Sequence, residues 1–211
     1  MNFVGHVVVA ERVAGGASTA RLLGAAAPDL ARMAGLPVAV DRHPEVAAGV
    51  GEHHRADAAF HELTWFRGRH RALATELQAR GVRRGTARGA GHVLVELLLD
   101  GALLADGTHQ ATFGRAWEAL AEAGADARAM VPSDGEARWV DFLRELTRRL
   151  DPAAYAEPIY AADRTAGTLA RRPRLAMLAG EVEVLRAVAT EAAVGIAEEA
   201  ETVVAAVSAG S

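Results

Sequence analysis

The stretch His92-Val-Leu-Val-Glu96-Leu-Leu-Leu-Asp100-Gly-Ala-Leu-Leu104 constrains the fold more than any other part of the chain. Its three ionisable side chains recur every four residues, and every position between them is apolar or glycine. A helix brings such positions onto one face, stacked turn above turn. The remaining surface of that helix is apolar all round, which places it centrally in a fold built from helices. Its polar stripe then faces either solvent or a polar interior site. A second stripe, His53, Asp57 and His61, repeats the same spacing upstream, next to His54 and Arg55.

The rest of the chain suits the same fold class. Alanine dominates, aromatic residues make up only 5%, and Ala, Leu, Arg and Glu set a helical preference. The reading is all-α: a single-domain helical bundle over residues 1–207, with 208–211 as a frayed tail. Helices are predicted at 3–13, where Val7-Val8-Val9 also suits a short buried strand, and at 18–26, with Ser18 or Thr19 as cap and Pro28 as terminator. Residues 30–33 form a further turn. Residues 44–80 hold no proline after Pro44 and fit one bent helix or two in series. Helices follow at 86–104, at 108–123 with Asp106 or Thr108 as cap, at 136–150, at 155–170, and at 173–207. Residues 124–135 read as a connection.

Composition also excludes functions. With no cysteine, the chain forms no disulfide, thiolate zinc finger, iron–sulfur cluster or cysteine nucleophile. Net charge is −4 with a pI near 6.1, which argues against binding a nucleic-acid backbone. No apolar run approaches the roughly 20 residues of a membrane span, and the first residues lack the basic segment of a signal peptide, so the expected location is cytoplasmic. No phosphate-binding glycine loop, dinucleotide fingerprint or nucleophile elbow is present. Trp65 and Phe66 read as core, the Arg67 to Arg71 cluster as a solvated face, and Arg83-Arg84 as a basic helix end. All 23 basic residues are arginine, which favours bidentate contacts with phosphate or carboxylate.

If the two striped helices pack antiparallel, His53, Asp57, His92 and Glu96 converge on a nitrogen and oxygen site that suits manganese, iron or zinc. Glu96 or Asp100 would then be the catalytic base, and His54 and His61 bystanders. Arg55 would steer a phosphate or pair with Asp57 or Glu52. Arg171, Arg172 and Arg174 flank Pro173 at the expected start of the last helix, where free N–H groups welcome an anion.

Three segments carry a resemblance. The opening Met1-Asn2-Phe3-Val4-Gly5-His6 resembles the M-N-F-x-A-H start of the acyl carrier protein phosphodiesterases. Gly49 to Asp57, with His53, Arg55 and Asp57, is similar to that family's H-x-R-x-D segment, and Arg171-Arg172-Pro173-Arg174-Leu175 to its R-R-P-R-L element. The resemblance implies an all-helical relative of the HD-type phosphohydrolases, with a divalent metal, typically manganese, hydrolysing the phosphodiester that joins 4′-phosphopantetheine to a carrier-protein serine. It implies that His6, His53 and Asp57 belong to the metal or catalytic site, and that the partner is an acyl carrier protein or a small phosphodiester. The chain departs from the family at residues 20–26, which hold no carboxylate, Asp29 lying further on. It departs again at His92-Val-Leu-Val-Glu96-Leu97, where the family has D-x-x-x-D-H. Two readings compete with a hydrolase: a helical metal protein of other chemistry, such as oxygen activation at iron, and a non-enzymatic interaction module. The Ala/Val-rich last helix offers a face for a homodimer.

Overall fold

The computed structural model describes residues 1–105 and 107–211, and every regular element among them is a helix. The helices are α1 (Phe3–Ala14), α2 (Thr19–Ala34), α3 (Pro44–Glu62), α4 (Thr64–Ala79), α5 (Arg84–Ala105), α6 (Gln110–Glu122), α7 (Ala125–Arg128), α8 (Glu136–Arg149), α9 (Pro158–Ala170) and α10 (Ala179–Gly210). Short 3-10 turns occupy Ser133–Gly135 and Pro152–Ala156. The all-α expectation therefore holds, and no described helix is long and apolar enough to cross a membrane. Asp106, one of the two residues expected to cap the helix after α5, lies outside the described residues.

The chain divides into two compact units. The first comprises Met1–Phe60, Gly107–Asp151 and Val204–Ser211, the second His61–Asp106 and Pro152–Val203. In the first, α1 packs on α2 and α6, and α6 and α7 pack on α8. Val4, Val7, Val8 and Val9 are all buried, so the burial of an entire helix outweighs the strand preference of its valines. Gly15 ends α1 in the left-handed conformation, φ 62°, and its N–H and that of Gly16 satisfy the last carbonyls. Trp139 on α8 is fully buried, and its indole N–H donates to the Ala127 carbonyl at 2.7 Å.

Helix α2 departs from expectation because it continues through Pro28 to Ala34. Proline removes one backbone bond and costs about 3 kcal/mol in a helix interior. The buried residues on both sides of it, Ala25, Ala26, Ala27, Leu30 and Ala31, offset that loss. The α2–α3 crossing is close: a Cβ added at Gly24 would collide with the Val46 backbone, and one added at Gly49 with the backbone at Arg21 and Ala25. Arg21 spans the same crossing, donating through Nε to both oxygens of the buried Glu52 at 3.0 and 3.1 Å.

In the second unit α5 is the central element, packed against α4, α9 and the 152–156 turn. Residues 44–80 resolve into two helices in series, broken at Leu63. Gly91 lets α5 approach α4, since a Cβ there would stand 3.1 Å from the His70 carbonyl oxygen and the Ala74 nitrogen. Arg69, Arg80 and Arg83 tie this unit to α10 residues Glu199, Glu191 and Glu181.

Two further boundaries differ. The last helix begins at Ala179 rather than at Pro173, because residues 171–175 form turns after α9. It also continues past Val207, where fraying was expected, to Gly210. The Ser208 and Ser211 hydroxyls donate to the Val204 and Val207 carbonyls and prolong the last turn.

Candidate metal centres

The first group of possible ligands lies in the first unit. His6 on α1, Asp29 on α2 and His53 on α3 each bring one ligand atom within 4.8 Å of the other two. All three are buried, at 1%, 8% and 6% exposure. Packing explains the convergence: α1 lies on α2, and the glycine crossing at Gly24 and Gly49 brings α3 against α2 one turn before His53.

Hydrogen bonds fix the tautomer of each imidazole. His53 Nδ1 lies 2.9 Å from the Ala25 carbonyl, and His6 Nε2 lies 2.9 Å from the Met1 carbonyl. A carbonyl only accepts, so each of those nitrogens carries the proton and the opposite nitrogen keeps a lone pair. In His6 that atom is Nδ1, which is buried and has no hydrogen-bond partner among the described residues. The two rings stack with centroids 3.7 Å apart. Desolvation holds both histidines neutral: it pushes His53 down to about 4 and His6 well below its ordinary value, with repulsion from His53 adding to the effect on His6. Neutral imidazoles whose second nitrogen donates to a backbone carbonyl are a common arrangement of histidine metal ligands, and the Asp29 carboxylate nearby also takes a 2.8 Å hydrogen bond from Arg32.

Asp57 adjoins this group. Its side chain is 42% exposed, and Oδ1 stands 3.9 Å from His6 Nε2 and 3.4 Å from the Met1 amino group. His54 is exposed with its ring edge-on to His53, and Arg55 is exposed on the same helix.

A second group lies in the second unit. His61, His92 and Glu96 again bring one ligand atom each within 4.8 Å of the others. His61 Nε2 and His92 Nε2 stand 3.4 and 3.1 Å from Glu96 Oε1. Burial acts to raise the Glu96 carboxyl, but hydrogen bonding to His61 and His92 outweighs it and holds the group well below the usual range. The Phe66 ring packs edge-on against both histidines.

The α5 stripe thus runs inward from the surface. The His92 side chain is 39% exposed and that of Glu96 16%, while Asp100 is fully buried. Asp100 lies in neither ligand group. It faces Tyr155, whose hydroxyl burial pushes up to about 12, with the Asp100 charge acting in the same direction.

The expected ligands are therefore gathered in a different pattern from the four-residue site read from the stripes. His53 joins His6 and Asp29, His92 and Glu96 join His61, and Asp57 stands beside the first group. Asp29 escaped the sequence reading because α2 was ended at Pro28. Its signal was an acid set among Ala25, Ala26, Ala27, Leu30 and Ala31, where only the core-facing side of a helix carries so many small apolar residues. His61 was discounted although it continues the four-residue spacing of His53 and Asp57. Arg171, Arg172 and Arg174 are exposed in turns at the C-terminal end of α9, several residues before α10. A helix C-terminus favours cations, so their position needs no bound anion.

No family model, curated protein or solved structure matches the chain.

Proposed function

We propose that this chain is a divalent-metal-dependent phosphodiester hydrolase whose metal is held by His6, Asp29 and His53. The observation that carries the reading is the buried lone-pair nitrogen of His6, on a ring stacked against a second neutral histidine and grouped with the Asp29 carboxylate. Leaving such a group unmatched in a protein interior costs free energy, and a cation bound to it relieves that cost. Two of the three ligands, His6 and His53, belong to the segments that resemble acyl carrier protein phosphodiesterases, and manganese suits their mixed nitrogen and oxygen set, with iron or zinc as other candidates.

A divalent ion held by His6, Asp29 and His53 would supply an activated water and polarise a phosphoryl oxygen. The chain's own residues then divide the remaining work. Asp57, half-exposed beside His6, takes the proton from the attacking water, and Arg55, exposed on α3 two residues from both His53 and Asp57, pairs with a phosphate oxygen. The Ala25 and Met1 carbonyls keep the two imidazoles oriented and in the ligating tautomer.

The test is hydrolysis of bis(4-nitrophenyl) phosphate, and release of 4′-phosphopantetheine from a holo carrier protein, with manganese, ferrous iron or zinc added. Wild type turns over at least one of these substrates, and His53→Ala lowers the rate at least 100-fold while helical content is retained. No turnover with any of the three metals, or a His53→Ala rate equal to wild type, rejects the reading.

A further inference from the structure

The second ligand group has no part in that reaction, yet its three side chains stand close enough together to hold a metal ion. Around a tetrahedral zinc with ligand bonds of 2.0 to 2.1 Å, neighbouring ligand atoms stand about 3.3 Å apart. The 3.1 and 3.4 Å separations of His92 Nε2 and His61 Nε2 from Glu96 Oε1 match that edge. Two imidazoles and one carboxylate suit borderline ions rather than calcium or magnesium, which prefer oxygen. Both histidine side chains are about one-third exposed, so a three-ligand centre here keeps coordination positions open to solvent, as reactive centres do and structural ones do not.

What lies beside the open side points to its ligand. His70 sits edge-on to His92 with ring centroids 5.4 Å apart. It also lines a groove of about 690 Å³ together with Arg67, Arg71, Thr75, Arg84 and Arg88. Five of this unit's arginines are matched to acids: Arg69, Arg80, Arg83 and Arg186 pair with Glu199, Glu191, Glu181 and Asp163, and Arg67 with Glu62. Arg71, Arg84 and Arg88 have no acidic partner among the described residues. Three unmatched guanidinium groups converging on one groove favour an oxyanion with several acceptor atoms. The His70 Nε2 proton is engaged by the Arg88 carbonyl at 3.1 Å, so the ring adds a polar wall to the groove.

We propose that His61, His92 and Glu96 form a second metal centre, taking zinc or ferrous iron, and that the groove of Arg71, Arg84 and Arg88 delivers a phosphate-type oxyanion to its open side. The assignment does not depend on an ion at His6, Asp29 and His53.

Cobalt(II) is the probe for the ion and inorganic phosphate for the ligand, using the full chain stripped by a chelator. Equilibrium dialysis is expected to give two cobalt equivalents for wild type, one for His92→Ala, one for Asp29→Asn and none for the double variant. His61→Asn repeats the His92→Ala arm should that variant lose helical content. Phosphate is expected to bind the cobalt-loaded protein at least tenfold more weakly in the Arg71→Gln/Arg88→Gln double variant. One wild-type equivalent that is lost in His92→Ala and kept in Asp29→Asn supports this centre and rejects the first. Undiminished cobalt binding in both His92→Ala and His61→Asn overturns the centre, and unchanged phosphate affinity in the arginine variant overturns the assigned ligand.

Discussion

The two ligand groups use the same donor set, two imidazoles and a carboxylate, in opposite surroundings. In the first unit all three residues are at most 8% exposed, and the histidines are forced neutral by desolvation, with carbonyls setting their tautomers. In the second the histidines are partly exposed and act on a half-buried carboxylate, which they keep ionised. Burial therefore changes which partner is adjusted: the imidazoles in one case, the acid in the other. The first group is bound up with the stability of its core, because emptying it leaves the His6 nitrogen buried without a partner. The second is tuned by neighbours that already satisfy it, so occupancy there is expected to alter ligand binding more than folding.

The largest effect comes from breaking the crossing that builds the first group. Gly49→Val puts side-chain carbon into the backbone of α2, which has no flexible group to yield, and is expected to cost at least about 3 kcal/mol of stability. Chemical denaturation followed by tryptophan fluorescence in a Trp65→Phe/Trp117→Phe background, which leaves the buried Trp139 as the reporter, measures it. A loss below 1 kcal/mol would mean that α2 and α3 do not cross as closely as described.

Acidification comes next in size. The folded-state value of His53 lies below its unfolded value, so at neutral pH both states are uncharged and stability is at its full level. As pH falls below about 6.5 the unfolded chain takes up a proton that the folded chain refuses until about pH 4. The metal-free protein is expected to lose up to about 3 kcal/mol from His53 across that window, and His6 shifts in the same direction. Asp57 beside His6 opposes part of the loss by favouring the charged imidazole. Thermal melts from pH 7.5 to 4 in wild type and in His6→Phe/His53→Phe test this, and equal pH slopes in the two proteins would remove the first group from the account.

A smaller change sharpens the contrast. Glu96→Gln in the metal-free protein keeps a hydrogen-bond acceptor for His61 and His92 and is expected to cost about 1 kcal/mol. Calorimetry that finds a loss as large as that of the first group would erase the distinction between them. The smallest effect belongs to the exposed turn after α9, where Arg171→Gln, Arg172→Gln and Arg174→Gln together are expected to shift stability within about 0.5 kcal/mol and to leave hydrolysis unchanged. A tenfold fall in rate would restore these arginines to the site.

Much of the fold was legible because helix formers and four-residue spacing act locally. Helices α5, α6 and α8 fall close to where periodicity puts them, α1 is a helix where the pattern alone also suited a strand, and Leu63 is one of the breaks that the 44–80 segment permits. Pro28 and Pro173 misled for different reasons. A proline's local preference is modest beside burial of a long apolar face, so Pro28 sits inside α2, whereas Pro173 belongs to a turn whose helix starts only when the chain reaches Ala179. The same limit explains the sites. Four-residue spacing predicts that His53, Asp57 and His61 share a helix face, and His92, Glu96 and Asp100 another, but it carries no information about which partners from other helices meet each one. His6 entered through a resemblance rather than a pattern, and Asp29 has no repeat to announce it, since a single acid on a small-residue helix is recognisable only once that face is known to be buried.

The central claim is that His6, Asp29 and His53 hold a divalent ion. The most direct measurement is elemental analysis of the untagged protein beside Asp29→Asn, which keeps the side-chain volume and removes the charge. The account predicts that wild type carries manganese, iron or zinc at this centre and that Asp29→Asn contains about one equivalent less, with helical content unchanged. Equal metal content in the two proteins, or a wild type that takes up none of these ions, would contradict it.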